Sequence, residues 1–339
     1  MDNLIFKVNS FIFNFNWFIM KVFLKYIIQI IAVTLVFAFG IQYFSDNGFK
    51  QLKNSRYNDW ANILNGKINS EIIINGSSRG FVGYNPVIIG DKLNLSCFNL
   101  SFNAGSYNLQ QSKFDIYLKN NKTPKVIIQN IDLAYFVKST KLPDEEQFYP
   151  FIYNKSIDSL TTKFDNRFSL FRTIPLLKYN QKIKMLEEGV IANFSNPFEK
   201  NVKTIQGYCP QNRIFKVDYH NLSRFPNLTF KAENKHEILL LHDMINFYTW
   251  RLHKDAKIIF VWMPEYKLRL TKSFDLKRES IIDELNLIQK KDKNFLFIDM
   301  AYDEMSNHTQ YYYDTFHLNE VGSNLFSEKV SMKINEFLN

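Results

Sequence analysis

Hydrophobic positions along the chain fall into runs of three kinds. The longest lies near the N-terminus, where Tyr26 to Phe44 is apolar apart from Gln29, Thr34 and Gln42 and carries no charge. At about 1.5 Å per residue, a helix of this length nearly matches the roughly 30 Å hydrocarbon core of a bilayer. The second kind is short and rich in β-branched residues: Glu71-Ile72-Ile73-Ile74, Leu93 to Leu100, Lys125-Val126-Ile127-Ile128, Lys257 to Trp262 and Phe295 to Ile298. Such runs suit strands buried on both faces of a parallel sheet. The third kind has helical spacing and covers Ser106 to Asn121, Asn234 to His253, Leu276 to Gln289 and Val321 to Phe337. Strands alternating with helices predict an α/β fold, a three-layer α/β/α sandwich around a mostly parallel sheet. In such sheets the site lies beyond the carboxyl ends of the strands.

Lys21 and Lys25 precede the long apolar run, and Trp17, Tyr26, Tyr43 and Phe44 are placed to serve as interfacial aromatics. A cleaved signal peptide and a buried core helix are the competing readings. The run is long for a signal sequence, and no small-x-small cleavage site follows it. The expected organisation is a cytoplasmic or interfacial segment over 1–25, a transmembrane anchor over 26–44, a juxtamembrane helix or linker over 45–69 and one domain over 70–339. The domain is then extracytoplasmic on a single-pass protein of the cell membrane. Residues 138–233, between the third and fourth strands, are too many for a simple crossover and predict an insertion that forms a lid or partner surface.

Composition narrows the function. A chain of 339 residues with 46% hydrophobic content can bury a large core. Its 42 Lys and Arg against 33 Asp and Glu leave a net charge of +9. The cations are scattered and no zinc-finger or RNA-binding signature occurs, so a solvated basic surface is expected and no nucleic-acid partner. Cys97 and Cys209 fit no zinc site. Either they pair outside the cytoplasm or they stay free, with Cys97 a core thiol. The lack of a P-loop and of an acidic cluster suited to two metals argues against phosphoryl transfer, and neither cofactor nor metal is expected.

Two stretches carry candidate chemistry. Asn75-Gly76-Ser77-Ser78-Arg79 follows the first short apolar run. A hydroxyl at that turn sits where backbone N–H groups of the following helical turn, that of Ser78 among them, point outward and can hold an oxyanion. Pro86 behind Asn85 reads as the first residue of a helix behind its cap. Near the other end, Asp314-Thr315-Phe316-His317 puts a carboxylate three residues before an imidazole. That spacing lets Asp314 reach Nδ1 and leaves the other ring nitrogen for Ser78, the kit for acyl transfer through a covalent ester.

With these residues in place the chain resembles the SGNH hydrolases, also called GDSL-type. The resemblance covers residues 70–339 with the insertion set aside. It implies a flavodoxin-like sandwich, with Ser78 as nucleophile, His317 as general base and then acid, and Asp314 as the orienting carboxylate. The glycine that donates to the oxyanion after the second strand falls on Gly105. The Gly-Asp-Ser of the family becomes Gly76-Ser77-Ser78, and its Gly-x-Asn-Asp block reads Gln129-Asn130-Ile131-Asp132. Asn130 is the candidate oxyanion-hole amide, with Asp132 the alternative occupant of that position and a candidate substrate-binding residue. Arg79 is open to two readings, a group holding a substrate carboxylate or phosphate, or half of a structural ion pair. Gly-Ser-Ser-Arg with a following Tyr-Asn-Pro and Asn-x-x-x-Asn-Ala-Gly is similar to membrane-anchored SGNH-like proteins of bacterial envelopes. That likeness implies an esterase or O-acyltransferase acting on cell-wall or secreted polysaccharide, with a membrane-bound O-acyltransferase as partner. The altered third block supports a second expectation, a catalytically weakened scaffold or polysaccharide-binding subunit on the same fold.

Overall fold

The computed structural model describes residues 2–136, 141–194, 203–216 and 235–339. The expected insertion at 138–233 thus falls partly outside the described residues, at 138–140, 195–202 and 217–233. Five strands, β1 (Ile72–Asn75), β2 (Cys97–Asn99), β3 (Val126–Ile131), β4 (Lys257–Trp262) and β5 (Phe295–Asp299), form one sheet in the order β2-β1-β3-β4-β5. Every pairing is parallel, with Ile73 opposite Phe98 and Ile127, and Ile127 opposite Ile258. The order reverses between β1 and β3, so a crevice opens at their carboxyl ends.

The apolar runs are continuous because both faces are covered. Ile73, Ile127, Ile258, Phe260 and Trp262 pack into one core, which includes residues of α2 (Arg56–Leu64), α5 (Tyr107–Asn120), α9 (Lys235–Arg251) and α10 (Lys272–Lys291). Ile72, Ile74, Val126, Ile128, Ile259 and Val261 point the other way, toward Ile89 of α4 (Pro86–Leu93) and Phe326, Val330 and Ile334 of α11 (Glu320–Leu338). Each fully buried Ile or Val contributes about 1.5–3 kcal/mol over an exposed one.

Two stretches differ from the sequence expectation. The run Leu93 to Leu100 yields only a short β2, because α4 occupies Leu93 and Asn94 ends it in the left-handed conformation at φ 51°. Asn85 accepts the Val87 N–H and Pro86 opens that helix, as its sequence suggests. The stretch 45–69, expected as a juxtamembrane helix or linker, is largely helical and is packed into the folded body. The first helix, α1 (Asp2–Gln51), runs into it without a break as far as Gln51. Ser55 then caps α2, which buries Tyr57, Trp60, Ala61 and Ile63. From the insertion, α6 (Lys155–Phe164), α7 (Arg167–Thr173) and α8 (Ile183–Ile191) are described. Of these, α8 crosses α1 where a Cβ on Gly48 would lie 1.8 Å from the Gly189 carbonyl oxygen, so only glycine permits the approach.

Candidate active site

The chain leaves β1 through Gly76 and enters a short helix, α3 (Ser78–Gly83). A Cβ on Gly76 would meet Asn130 Cβ at 2.9 Å and one on Gly80 would meet Ser101 Oγ at 2.6 Å. The two glycines therefore let the start of α3 lie directly on the ends of β2 and β3. Ser77 is the cap residue of α3, yet its side chain does not cap. Its hydroxyl donates to Asp132 Oδ2 at 2.9 Å. The first backbone bond of the helix is Phe81 N–H to the Ser77 carbonyl, at 2.9 Å. Ser78 thus sits at a helix start that no side chain caps.

Asp314 closes a turn on itself, its Oδ1 accepting the N–H of Phe316 at 2.7 Å and of His317 at 2.8 Å. The turn places His317 Nδ1 2.9 Å from Asp314 Oδ2. His317 Nε2 is 2.8 Å from Ser78 Oγ. A carboxylate only accepts, so Nδ1 carries the ring proton and Nε2 accepts from the serine. Burial raises the Asp314 carboxyl, but the His317 hydrogen bond and charge and the two backbone N–H groups outweigh it and hold the group below its ordinary value. The Tyr313 ring lies flat on the imidazole, with centroids 5.2 Å apart and planes at 7°.

The other residues singled out by sequence are placed differently. Gly105 N–H, read as an oxyanion donor, bonds the Phe102 carbonyl at 3.1 Å within a turn. Asn130, read as the oxyanion amide, is 1% exposed. It donates to Asp132 Oδ2 at 3.2 Å and accepts from Tyr84 at 3.2 Å. Asp132 is 2% exposed and accepts from Ser77 and Asn130, so it faces inward and away from any substrate. Arg79 forms a buried ion pair with Glu265 and donates to the Pro264 carbonyl at 2.8 Å. Of its two readings, the geometry has the structural one. Cys97 and Cys209 are both buried and free, Cys97 in the core on the α4 side of the sheet and Cys209 beside Gln211.

Sequence reasoning missed Glu265. Its carboxylate joins Arg79, Arg269 Nε at 2.7 Å and Trp262 Nε1 at 3.2 Å. Burial pushes this carboxyl up, and the two guanidinium charges more than reverse the effect. The Arg269 guanidinium in turn lies 3.5 Å from the Phe316 ring centroid. One carboxylate therefore ties the residue after Ser78 to the residue before His317. Its position straight after Met263-Pro264 at the end of β4 was the available signal, since that end faces the crevice.

A cavity of about 170 Å³ opens beside Tyr313, lined among others by Trp60, Phe81, Phe102 and Lys113. Lys113 Nζ reaches the Ser101 carbonyl at 3.4 Å and lies 5.0 Å from the Trp60 ring centroid and 5.1 Å from that of Phe102. Burial lowers its ammonium to about 7, against a partial lift from Asp59. Asp59, which accepts from Thr204 at 2.5 Å, is raised to about 6 by its own burial.

No family model and no curated protein matches the chain. Similar solved structures include a family two carbohydrate esterase from Clostridium thermocellum in complex with cellohexaose, at TM-score 0.41 and 11% identity. The alignment covers 80% of this chain and 66% of that one, so this chain spans slightly under two thirds of that esterase. A putative platelet activating factor from Streptococcus pneumonia is similar at TM-score 0.35 and 11% identity, over 91% of this chain and 98% of the other. An acetyl xylan esterase from the rumen bacterium Butyrivibrio proteoclasticus follows at TM-score 0.34 and 10% identity, over 80% and 65%. Likeness at this level carries no conclusion about activity, so the reading of the site rests on its own geometry.

Proposed function

We propose that the protein is a membrane-anchored, extracytoplasmic serine esterase or O-acyltransferase that works on acyl esters of envelope or secreted polysaccharide. The observation that carries this reading is the unbroken line from Ser78 Oγ through His317 to Asp314, with bonds of 2.8 and 2.9 Å. Both lie within the roughly 2.6–3.2 Å that proton transfer requires. Ser78 Oγ attacks the acyl carbonyl carbon while its proton passes to His317 Nε2. The oxyanion takes the Ser78 backbone N–H at the uncapped start of α3. His317 then returns the proton to the departing alcohol as the ester C–O bond breaks, leaving the acyl group on Ser78. An incoming sugar hydroxyl or water gives its proton to Nε2, attacks the acyl carbon and frees the serine. Asp314 keeps Nδ1–H directed inward and stabilises the imidazolium. The aromatic and polar cavity beside Tyr313 is where the sugar would lie, and a membrane-bound O-acyltransferase would supply the acyl group.

Two features of α1 support the anchor. Its segment Ile19–Gln51 has a mean hydropathy of 2.3 over its best window, none of which is buried. Its last turns, including Gln42, Ser45, Asp46 and Phe49, are buried in the domain, so a cleavage removing them would strip a packed face from the fold.

A second reading, a non-catalytic scaffold, is favoured by one observation: the N–H of Gly105 and the amide of Asn130 are both engaged internally. A fluorophosphonate probe on the detergent-solubilised full chain separates the two. The esterase reading expects stable labelling of the wild type and none of Ser78→Ala at an unchanged melting temperature. A folded wild type that takes no label, alone or with the candidate partner, favours the scaffold.

A further inference from the structure

The grip on α1 begins at Gln42. This residue is 1% exposed although it lies in the apolar run. Its Nε2 donates to the Tyr153 hydroxyl at 3.0 Å and its Oε1 accepts the Leu176 N–H at 2.7 Å. One turn on, Asp46 binds Lys178 Nζ at 2.6 Å and accepts from Tyr179 at 2.6 Å. On the α8 side, Asn193 Nδ2 donates to the Phe44 carbonyl at 2.7 Å. Because α1 is continuous and held on two sides, the depth of the insertion relative to the apolar segment is fixed. The uncharged run from Tyr26 to Phe44 measures about 28 Å, against a hydrocarbon core of roughly 30 Å, and Lys21 and Lys25 stand at its other end. The residues level with Gln42 to Phe44 therefore fall at the boundary between acyl chains and headgroups.

Large apolar side chains are exposed at that level. Tyr43 is 69% exposed, Tyr153 56%, Ile174 48% and Phe194 78%. The Phe194 ring stacks on Phe44 with centroids 6.0 Å apart, so the patch is continuous with the apolar face of α1. Tyr153 touches Gln42, and Ile174 precedes Leu176, which does the same. Aromatic and aliphatic side chains of this kind settle at the bilayer interface.

We propose that Tyr153, Ile174 and Phe194 of the insertion, with Tyr43 and Phe44 of α1, form a collar that sinks into the bilayer interface and seats the catalytic domain on the membrane. This rests on the reading of α1 as a membrane span. The crevice then keeps one orientation and one height above the lipid, which suits a polymer presented at the membrane surface.

Spin labels on the full chain in lipid nanodiscs test the collar, at Ile174→Cys, Phe194→Cys, Ile28→Cys and Trp250→Cys. Cys97 and Cys209 are buried, and Trp250 is 81% exposed on α9, which makes it the aqueous reference. Power saturation with oxygen and a water-soluble nickel chelate reads the depth of each label. The expected oxygen-to-nickel ratio at 174 and 194 is several-fold above that at 250, approaching the lipid value at 28. A lipid value at 28 with aqueous values at 174 and 194 refutes the collar and leaves the anchor standing. Exclusion of both reagents at 174 and 194 also refutes it, in favour of a protein contact. An aqueous value at 28 overturns the anchor and the collar with it.

Discussion

Two polar corners meet at the carboxyl end of the sheet, and they use their hydrogen bonds in opposite ways. In the first, Asp314, His317 and Ser78 form a chain that ends on a half-buried hydroxyl facing the crevice. In the second, Ser77, Asn130, Asp132 and Tyr84 bond one another, and all four are buried. An open chain can pass a proton to a ligand, whereas a closed one can only hold the backbone in place. The closed corner still serves the open one. By drawing the Ser77 hydroxyl onto Asp132 it keeps that oxygen off the start of α3, where the oxyanion would sit.

The strongest way to break this contrast acts on the open chain. Asp314→Asn keeps the shape but lets an amide N–H face Nδ1, which favours the wrong imidazole tautomer. Turnover of a model acyl ester is expected to fall on the order of 10³–10⁴-fold with KM little changed. A fall of less than tenfold would mean that the Asp314–His317 bond is ornamental.

Glu265→Gln probes the frame joining the turns that carry Ser78 and His317. It leaves the Arg79 and Arg269 charges without their shared carboxylate, and Arg79 is 3% exposed. Removing one partner of a buried pair costs about 3–5 kcal/mol. The expected result is a large drop in the chemical-unfolding midpoint, and Glu265→Asp should recover part of it.

Asn130→Ala sharpens the contrast from the closed side. If Asn130 donated to the oxyanion, its loss would lower kcat about 10²–10³-fold. With its amide committed to Asp132, the expected change in kcat is under tenfold, and the cost appears as about 1–3 kcal/mol of stability. Kinetics and melting on one preparation decide between these outcomes.

How much of this was legible follows from the range of the interactions. The strands were readable because a sheet covered on both faces imposes continuous apolar runs. Ser78 and the Asp314–His317 pair were readable because each sits in a local turn whose spacing sets its geometry. Side-chain direction was not readable at Gln129-Asn130-Ile131-Asp132, where strand alternation sends neighbours to opposite faces and no local rule says which residue meets the crevice. Nor were contacts across long separations, such as Glu265 with Arg79, 186 residues apart, or Lys178 with Asp46, 132 apart. That the stretch 45–69 packs into the domain was unreadable for the same reason. Ser45, Asp46 and Asp59 in it face neighbours that the folded insertion supplies.

Lys113 belongs to neither corner and gives the smallest predicted effect. It is buried in the cavity wall with one long bond, so its donors are largely unused, as an arrangement awaiting a ligand oxygen would have them. That arrangement costs stability in the empty protein. Burial lowers the folded-state value to about 7 while the unfolded chain keeps an ordinary lysine near 10.4. Between these values the unfolded state binds the extra proton, so stability rises with pH across the window, and below about 7 the full penalty is present. Lys113→Met is therefore expected to melt a few degrees above wild type at pH 6.5, with the difference shrinking steadily toward pH 10. Asp59 works in the other sense. Its folded value of about 6 exceeds the unfolded value near 3.9, so its contribution is present in acid and lost as pH rises through 6. A Lys113→Met difference that stays constant from pH 6.5 to 10 would show that the ammonium is solvated.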